Sequence, residues 1–393
     1  MRIHSIQRYR KNGKAGVSAR ITFKDGKVHT MYFEVEEKFH DVIAKDASPF
    51  LAAMLPIAML RKENIEVDGE VSKRFQDNLP EIIKTVDEWN LGLSPISVQV
   101  KESRKDHKKS KHVGCFFSGG ADSFYTYLKN KKSIDSFIFV HGFDISVHNN
   151  VLYATVEKNI AKIAATQNVR FIKVKTNLRE TYDQYIDWNL AHGFAVGSVA
   201  LFVRDGFQSI YVSCGLGAKN KQHYSMTPDL DPLYRGEQAE VVHFGCNADK
   251  LQKLKELSQS PLAMQNLRVC WVNRSNAYNC SSCEKCMRNM LGLYLCDSLE
   301  KSQTFAHSID VERLRNIRVD LLQLKYFRPI LEAFDKKGDT SEVREALAEL
   351  IEKSSSPSVG QKISKGLRDR IRAIDRKYNQ NRFYWYMANK GIV

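Results

Sequence analysis

Phe116-Phe117-Ser118-Gly119-Gly120-Ala121-Asp122-Ser123 joins two segments of opposite character. Before it, the apolar run Val113 to Phe117 predicts a buried strand. After it, Asp122 to Asn130 predicts a helix. Two glycines flanked by hydroxyl side chains at such a junction suit a phosphate cradle. No side chain blocks the approach of the backbone, amide hydrogens point at the anion, and the helix N-terminus adds roughly half a positive charge. Ser118 and Ser123 can donate to phosphate oxygens. Asp122 would repel phosphate unless it holds a magnesium ion that in turn holds the phosphates. The structural alternative is an ordinary strand-to-helix turn capped by Ser118.

The spacing and lysine of a Walker loop are missing. The stretch resembles instead the Ser-Gly-Gly-x-Asp-Ser motif of the PP-loop ATP pyrophosphatases, with every fixed position matched. That resemblance implies cleavage of ATP between the α and β phosphates, adenylation of a carbonyl or carboxylate oxygen, and release of pyrophosphate.

Outward from this loop the pattern alternates. Strands are predicted at residues 113–118, 136–141, 169–175, 209–213 and 267–272, and helices at 122–130, 149–167, 189–204 and 248–258. Alternation of this kind predicts an α/β fold with a doubly wound parallel sheet, in which ligands bind at the carboxyl ends of the strands. Residues 1–100 form a further expected α+β module. Three alternating runs broken by Lys11-Asn12-Gly13 and Lys24-Asp25-Gly26 predict an antiparallel meander, and helices are expected at 46–60 and 71–89 with a strand at 95–100. Residues 101–112 read as a basic linker, 113–303 as the ATPase domain, and 304–393 as a helical extension with helices at 311–334, 341–353 and 365–387.

The length of 393 residues suits two or three domains, and a hydrophobic content of 43% suits a packed core rather than disorder. The net charge of +15 is concentrated. Lys101 to His112 carries six Lys/Arg against two acids, and Gln361 to Val393 carries nine against two. Such a surplus suits an anionic partner, nucleic acid or nucleotide, or else a solvated surface. In the last segment Arg368, Arg370, Arg372, Arg376 and Lys377 are interleaved with Tyr378, Phe383, Tyr384, Trp385 and Tyr386. That mixture suits single-stranded nucleic acid or an aromatic face docked on the body. The N-terminal residues lack a leader-type apolar region, and the longest apolar run, Pro49 to Leu60, is too short to span a bilayer. The expected location is cytoplasmic, without a membrane partner, and the eight cysteines are expected to be free of disulfides.

Four of those cysteines carry a metal-type spacing: Cys270, then Cys280, Cys283 and Cys286. Three thiolates within seven residues and a fourth from a strand end can close a tetrahedral shell around zinc, with Arg274, Lys285 and Arg288 offsetting its charge. The same set can hold an iron–sulfur cluster. Cys115, Cys214, Cys246 and Cys296 read as core residues.

The loop and the cysteines together resemble the 7-cyano-7-deazaguanine synthases, the QueC family, over residues 113–297. The resemblance implies activation of 7-carboxy-7-deazaguanine by ATP, capture of ammonia as an amide, and a second ATP-dependent step to the nitrile. It assigns Ser118, Gly119, Gly120, Ala121, Asp122 and Ser123 to ATP and magnesium, and Cys270, Cys280, Cys283 and Cys286 to a structural zinc. By position, His141 and Gly142 are expected at the adenosine, and Trp188, His192 and Gly193 beside the same crevice. Asp229 and Asp231 are expected at magnesium or the base, with turn formation as the alternative. The Cys270–Cys280 spacing is longer than in that family, and residues 215–234 lack its Tyr-Pro-Asp-Cys-Arg type of pattern. The extra segments at both ends are similar to the enlarged QueC-like proteins of anti-phage defence islands. There the acceptor is expected to be a macromolecule, and the assembly a homodimer or a subunit of a larger complex. A tRNA-modifying thiolase or lysidine-type ligase, and an adaptor that binds nucleotide without turnover, are the alternatives.

Overall fold

A computed structural model describes residues 1–104, 110–215, 226–272 and 276–355, with 370–371 and 374–375. The chain groups into two compact units. One comprises Met1–Ser118, Thr126–Asn149 and Ala164–Cys246; the other comprises Gly119–Tyr125, Asn150–Ile163 and Asn247–Val393.

The first unit is built on one mixed sheet. The meander is present as β1 (Arg2–Lys11), β2 (Lys14–Thr22) and β3 (Val28–Glu36). Asn12 and Gly13, both at positive φ, make the first turn, the conformation that a two-residue hairpin joining right-twisted strands requires. Then come α1 (Ser48–Arg61), β4 (Ile65–Ser72), α2 (Lys73–Glu88) and β5 (Val98–Arg104). The apolar run of residues 49–60 is a helix buried on all sides, as a helix apolar all round must be in water. Among the described residues no helix is long and apolar enough to cross a membrane.

The α/β part supplies β6 (Val113–Phe116), α3 (Ala121–Lys129), β7 (Ser136–His141), α4 (Asn150–Thr166), β8 (Arg170–Thr176), α5 (Leu178–Tyr185), α6 (Trp188–Val203), β9 (Ser209–Ser213) and β10 (Glu240–Phe244). The strand order is β10-β9-β6-β7-β8-β3-β2-β1-β4-β5. The first five are parallel neighbours. From β6 the chain runs outward through β7 to β8, then returns to place β9 on the other flank of β6. This is the order of a doubly wound nucleotide-binding half, with its switch point between β6 and β9. The loop beginning at Ser118 leaves the carboxyl end of β6.

Several expectations change. Residues 1–100 do not build a sheet of their own: β3 pairs antiparallel with β8, Phe33 opposite Thr176 and Glu34 opposite Lys175. Covering that edge removes an unpaired row of backbone groups. The Phe33 ring then stacks on Phe202 of α6 (centroids 5.5 Å), while buried Arg204 pairs with Asp46. Second, residues 267–272 form no strand, because the amide groups of Val269 and Cys270 donate to the side chain of Asn279 (2.9 and 3.1 Å). The fifth parallel strand is β10. Third, Cys214 and Cys246 form a disulfide, with Cα atoms 5.3 Å apart. They follow adjacent parallel strands, and the Cys214 amide donates to the carbonyl of Phe244 (2.8 Å), so the register brings the two thiols together.

The second unit contains the loop residues 119–125, the first part of α4, and α7 (Lys250–Leu257), α8 (Pro261–Asn266), α9 (Glu284–Leu295), α10 (Val311–Asn316), α11 (Leu321–Lys337) and α12 (Glu342–Ser355). The single helix expected over 311–334 is two. Asp320 caps α11 through the amide of Gln323, whose side chain returns to the Asp320 amide, so the chain restarts there. Of the expected basic run 101–112, residues 101–104 belong to β5. Arg274, residues 105–109 and all but four positions of the helix expected at 365–387 lie outside the described residues.

Candidate nucleotide site and metal centre

In the second unit the loop closes into a compact turn. Gly119 has φ +76°, a left-handed conformation that excludes side-chain-bearing residues at low cost. The Ser123 hydroxyl and the Phe124 amide both donate to the Gly120 carbonyl (3.0 and 2.9 Å), which starts α3. The Gly119 carbonyl accepts from the amide of Arg268 (2.8 Å), and the Tyr278 hydroxyl donates to the Asn266 carbonyl beside it (2.9 Å). The loop is therefore held from outside by Arg268, two residues before Cys270.

Two lysines of α7 reach the loop. Lys253 Nζ lies 3.0 Å from Asp122 Oδ1, and Lys250 Nζ pairs with Oδ2. Burial would raise the Asp122 carboxyl, but the ammonium groups of Lys250 and Lys253 outweigh it and hold the carboxyl well below the usual range. Burial in turn pushes Lys250 down to about 8, against the pull of Asp122. Sequence reading placed a helix over these lysines without a role. Their i, i+3 spacing after the Asp249 cap was the available signal. Arg268 is buried, and its Cβ would lie 3.7 Å from a Cβ on Gly119, so three basic residues outside the motif adjoin the loop.

The cysteine centre lies on the same segment. The four sulfurs of Cys270, Cys280, Cys283 and Cys286 all lie within 4.8 Å of one another. Cys270–Cys283 and Cys280–Cys286 are each 3.9 Å apart, against about 3.8 Å between sulfurs of a tetrahedral site with zinc–sulfur bonds of about 2.3 Å. The Cys283 amide donates to Cys280 Sγ (3.3 Å) and that of Cys286 to Cys283 Sγ (3.4 Å), bonds that favour thiolate. Hydrogen bonds from the neighbouring thiols, that of Cys270 first, drive Cys280 well below its ordinary value. This donor set and spacing fit zinc. Arg288, expected to offset the site's charge, pairs with Glu284 (3.1 Å) and stacks over Tyr326 (4.2 Å). Asn279 braces the centre, receiving the Val269 and Cys270 amides while donating to the Leu267 and Thr304 carbonyls (2.8 and 3.2 Å). A Cβ on Gly292 of α9 would lie 2.4 Å from Leu254, so the helix bearing Cys286 closes tightly on the helix bearing Lys250 and Lys253.

The remaining expected site residues belong to the first unit. Ser118 is exposed at the end of β6. His141 ends β7 as expected, but its ring is buried and Nε2 bonds the Ser146 carbonyl (3.0 Å). Gly142, at φ +113°, lies so near the Thr176 carbonyl that a Cβ would be 2.0 Å from it. His192 is turned into α6, where Nδ1 bonds the Trp188 carbonyl (3.2 Å), and burial lowers its basicity. Gly193 is buried in the same helix, and Arg179 covers the Trp188 ring at 4.0 Å. Asp229 is an exposed turn residue. Asp231 is buried and accepts from His243 Nδ1 (2.7 Å), so its carboxylate is engaged by a histidine within the sheet unit. Compared with protein-family models, characterised proteins and solved structures, the chain matches none.

Proposed function

We propose that the chain is an ATP-dependent adenylating enzyme of the PP-loop type, acting on a carboxylate of the 7-carboxy-7-deazaguanine class. The observation that carries this reading is the convergence of Lys250, Lys253 and Arg268 on the glycine turn at Gly119–Ser123. A strand-to-helix turn of purely structural purpose has no need of two buried cations, Lys253 and Arg268, and a half-buried third, Lys250, beside it; a triphosphate does.

In this reading a carboxylate oxygen attacks the α-phosphorus, the bond from that phosphorus to the α–β bridging oxygen breaks, and pyrophosphate leaves. The turn amides, the N-terminus of α3 and the cations of Lys250, Lys253 and Arg268 stabilise the charge gathering on the leaving group. Asp122 would hold magnesium, which would offset phosphate charge. Since two ammonium groups occupy Asp122, that role requires the lysines to turn to the phosphates when nucleotide arrives. An amine or ammonia then attacks the acyl carbon, forming the C–N bond while the C–O bond to AMP breaks and the amine loses a proton. Exclusion of water protects the acyl-adenylate meanwhile. Cys270, Cys280, Cys283 and Cys286 would hold a structural zinc, which would fix the segment bracing the loop.

Mass spectrometry of products from pure protein with magnesium-ATP, ammonium and 7-carboxy-7-deazaguanine tests the substrate. Amide or nitrile from wild type, absent with Asp122→Ala, supports the small-molecule acceptor. AMP and pyrophosphate without either product assign a macromolecular acceptor. No turnover sinks the deazaguanine assignment.

A further inference from the structure

The first unit contains a second group of soft ligands, independent of the nucleotide reading. Cys214 follows β9, and His243 and Cys246 lie on and just after the adjacent strand β10. Their two sulfurs and a ring nitrogen of His243 lie within 4.8 Å of one another. Cys214 is buried. His243 Nδ1 donates to Asp231 Oδ2 at 2.7 Å, and both side chains are almost fully buried, 3% and 4% exposed.

A disulfide alone has no use for that last pair. A buried carboxylate on one imidazole nitrogen is the arrangement that fixes the tautomer and ring orientation of a metal-ligating histidine and raises the basicity of its other nitrogen. Two thiolates and one imidazole on rigid, neighbouring strands are a zinc donor set, and among the described residues no fourth protein ligand joins them. Sites with three protein ligands keep a position for water or a ligand. This one is at the carboxyl ends of two parallel strands, the edge at which such sheets bind their ligands.

We propose that Cys214, Cys246 and His243 form a redox-gated zinc site in which Asp231 positions His243. In the oxidised form the sulfurs are bonded to each other and no site exists. A dithiol reductant supplies two electrons and two protons, its own sulfurs forming a disulfide as the Cys214–Cys246 bond breaks. Zinc then binds both sulfurs and His243 Nε2, releasing the two thiol protons to solvent. Water fills the fourth position.

The test is peptide-resolved alkylation of the full chain after treatment with dithiothreitol, with and without added zinc, so that Cys214 and Cys246 are read separately from Cys270, Cys280, Cys283 and Cys286. The expected result is that both thiols alkylate in the reduced, metal-free protein and are protected by zinc. The Asp231→Asn variant should need about 10- to 100-fold more zinc for the same protection, and His243→Ala should lose it. Alkylation unaffected by zinc would overturn the site. So would a Cys214–Cys246 bond that resists the reductant, which would make the pair a structural disulfide only. Because the main comparison uses wild-type protein, misfolding of a variant leaves the result readable.

Discussion

Lys253 Nζ sits 3.0 Å from Asp122 Oδ1 across 131 residues of sequence, and only 2% of the lysine side chain is exposed. The pair ties the glycine loop to α7. An ammonium so enclosed depends on its partner.

Asp122→Asn should therefore destabilise the protein by about 3 kcal/mol at neutral pH, because it leaves a buried charge uncompensated. Lys253→Met in the same background should recover much of that loss. The pH dependence has a definite sign. The folded-state carboxyl lies below its unfolded value of about 3.9. Its contribution is thus complete above that value and is lost as pH falls toward the folded one. Denaturant melts of wild type and Asp122→Asn should converge as the pH drops below about 4.

Lys250 gives a second pH effect, on ligand binding. Its ammonium is pushed down to about 8, while a bound triphosphate favours the charged form. Affinity for magnesium-ATP should fall as pH rises through about 8. In Lys250→Arg, whose side chain stays charged throughout, that fall should be absent. Titration calorimetry across this range reads both.

Gly119 and Gly142, both at positive φ, should behave differently. At Gly119 the nearest atom to an added Cβ is 3.7 Å away, so Gly119→Ala carries mainly backbone strain of about 1–2 kcal/mol, with a larger loss of nucleotide binding. At Gly142 an added Cβ meets the Thr176 carbonyl at 2.0 Å, so Gly142→Ala should unfold the end of β7. Thermal melts beside ATP titrations separate the two effects.

Metal and nucleotide should be coupled. Cys270 lies two residues from Arg268, whose amide bonds the Gly119 carbonyl, and α9 closes on α7 at Gly292. Chelation, or Cys286→Ser, should weaken magnesium-ATP binding through these connections. Asn279→Ala should lower metal affinity about tenfold or more by releasing the Cys270 backbone. Metal analysis and ATP titration on the same samples check this, and a colourless protein identifies zinc over an iron–sulfur cluster.

Much of this architecture was legible because it is written locally. The glycine turns at Gly13 and Gly119, the strand at 136–141 and the cysteine spacing each depend on residues close in sequence. What was hidden depends on partners far along the chain. Strand β4 was not expected, although Ile65, Val67 and Val71 alternate between the two expected helices, and nothing local says that β1 and β5 flank it. Residues 267–272 look like a strand until the Asn279 side chain takes their amide groups. Lys250, Lys253 and Arg268 look like any helix or loop cations until folding carries them to Asp122 and Gly119. Cys214, between Ser213 and Gly215, and Cys246, between Gly245 and Asn247, become neighbours only through the pairing of β9 with β10.

The proposed chemistry breaks ATP at one bond, and the fate of the α-phosphate reports which. Wild-type protein incubated with magnesium, ammonium, 7-carboxy-7-deazaguanine and ATP labelled at the α-phosphate should move the label into AMP, and Asp122→Ala should not. Label in ADP would contradict adenylation at this loop, and label left in ATP with both proteins would contradict adenylation of this carboxylate.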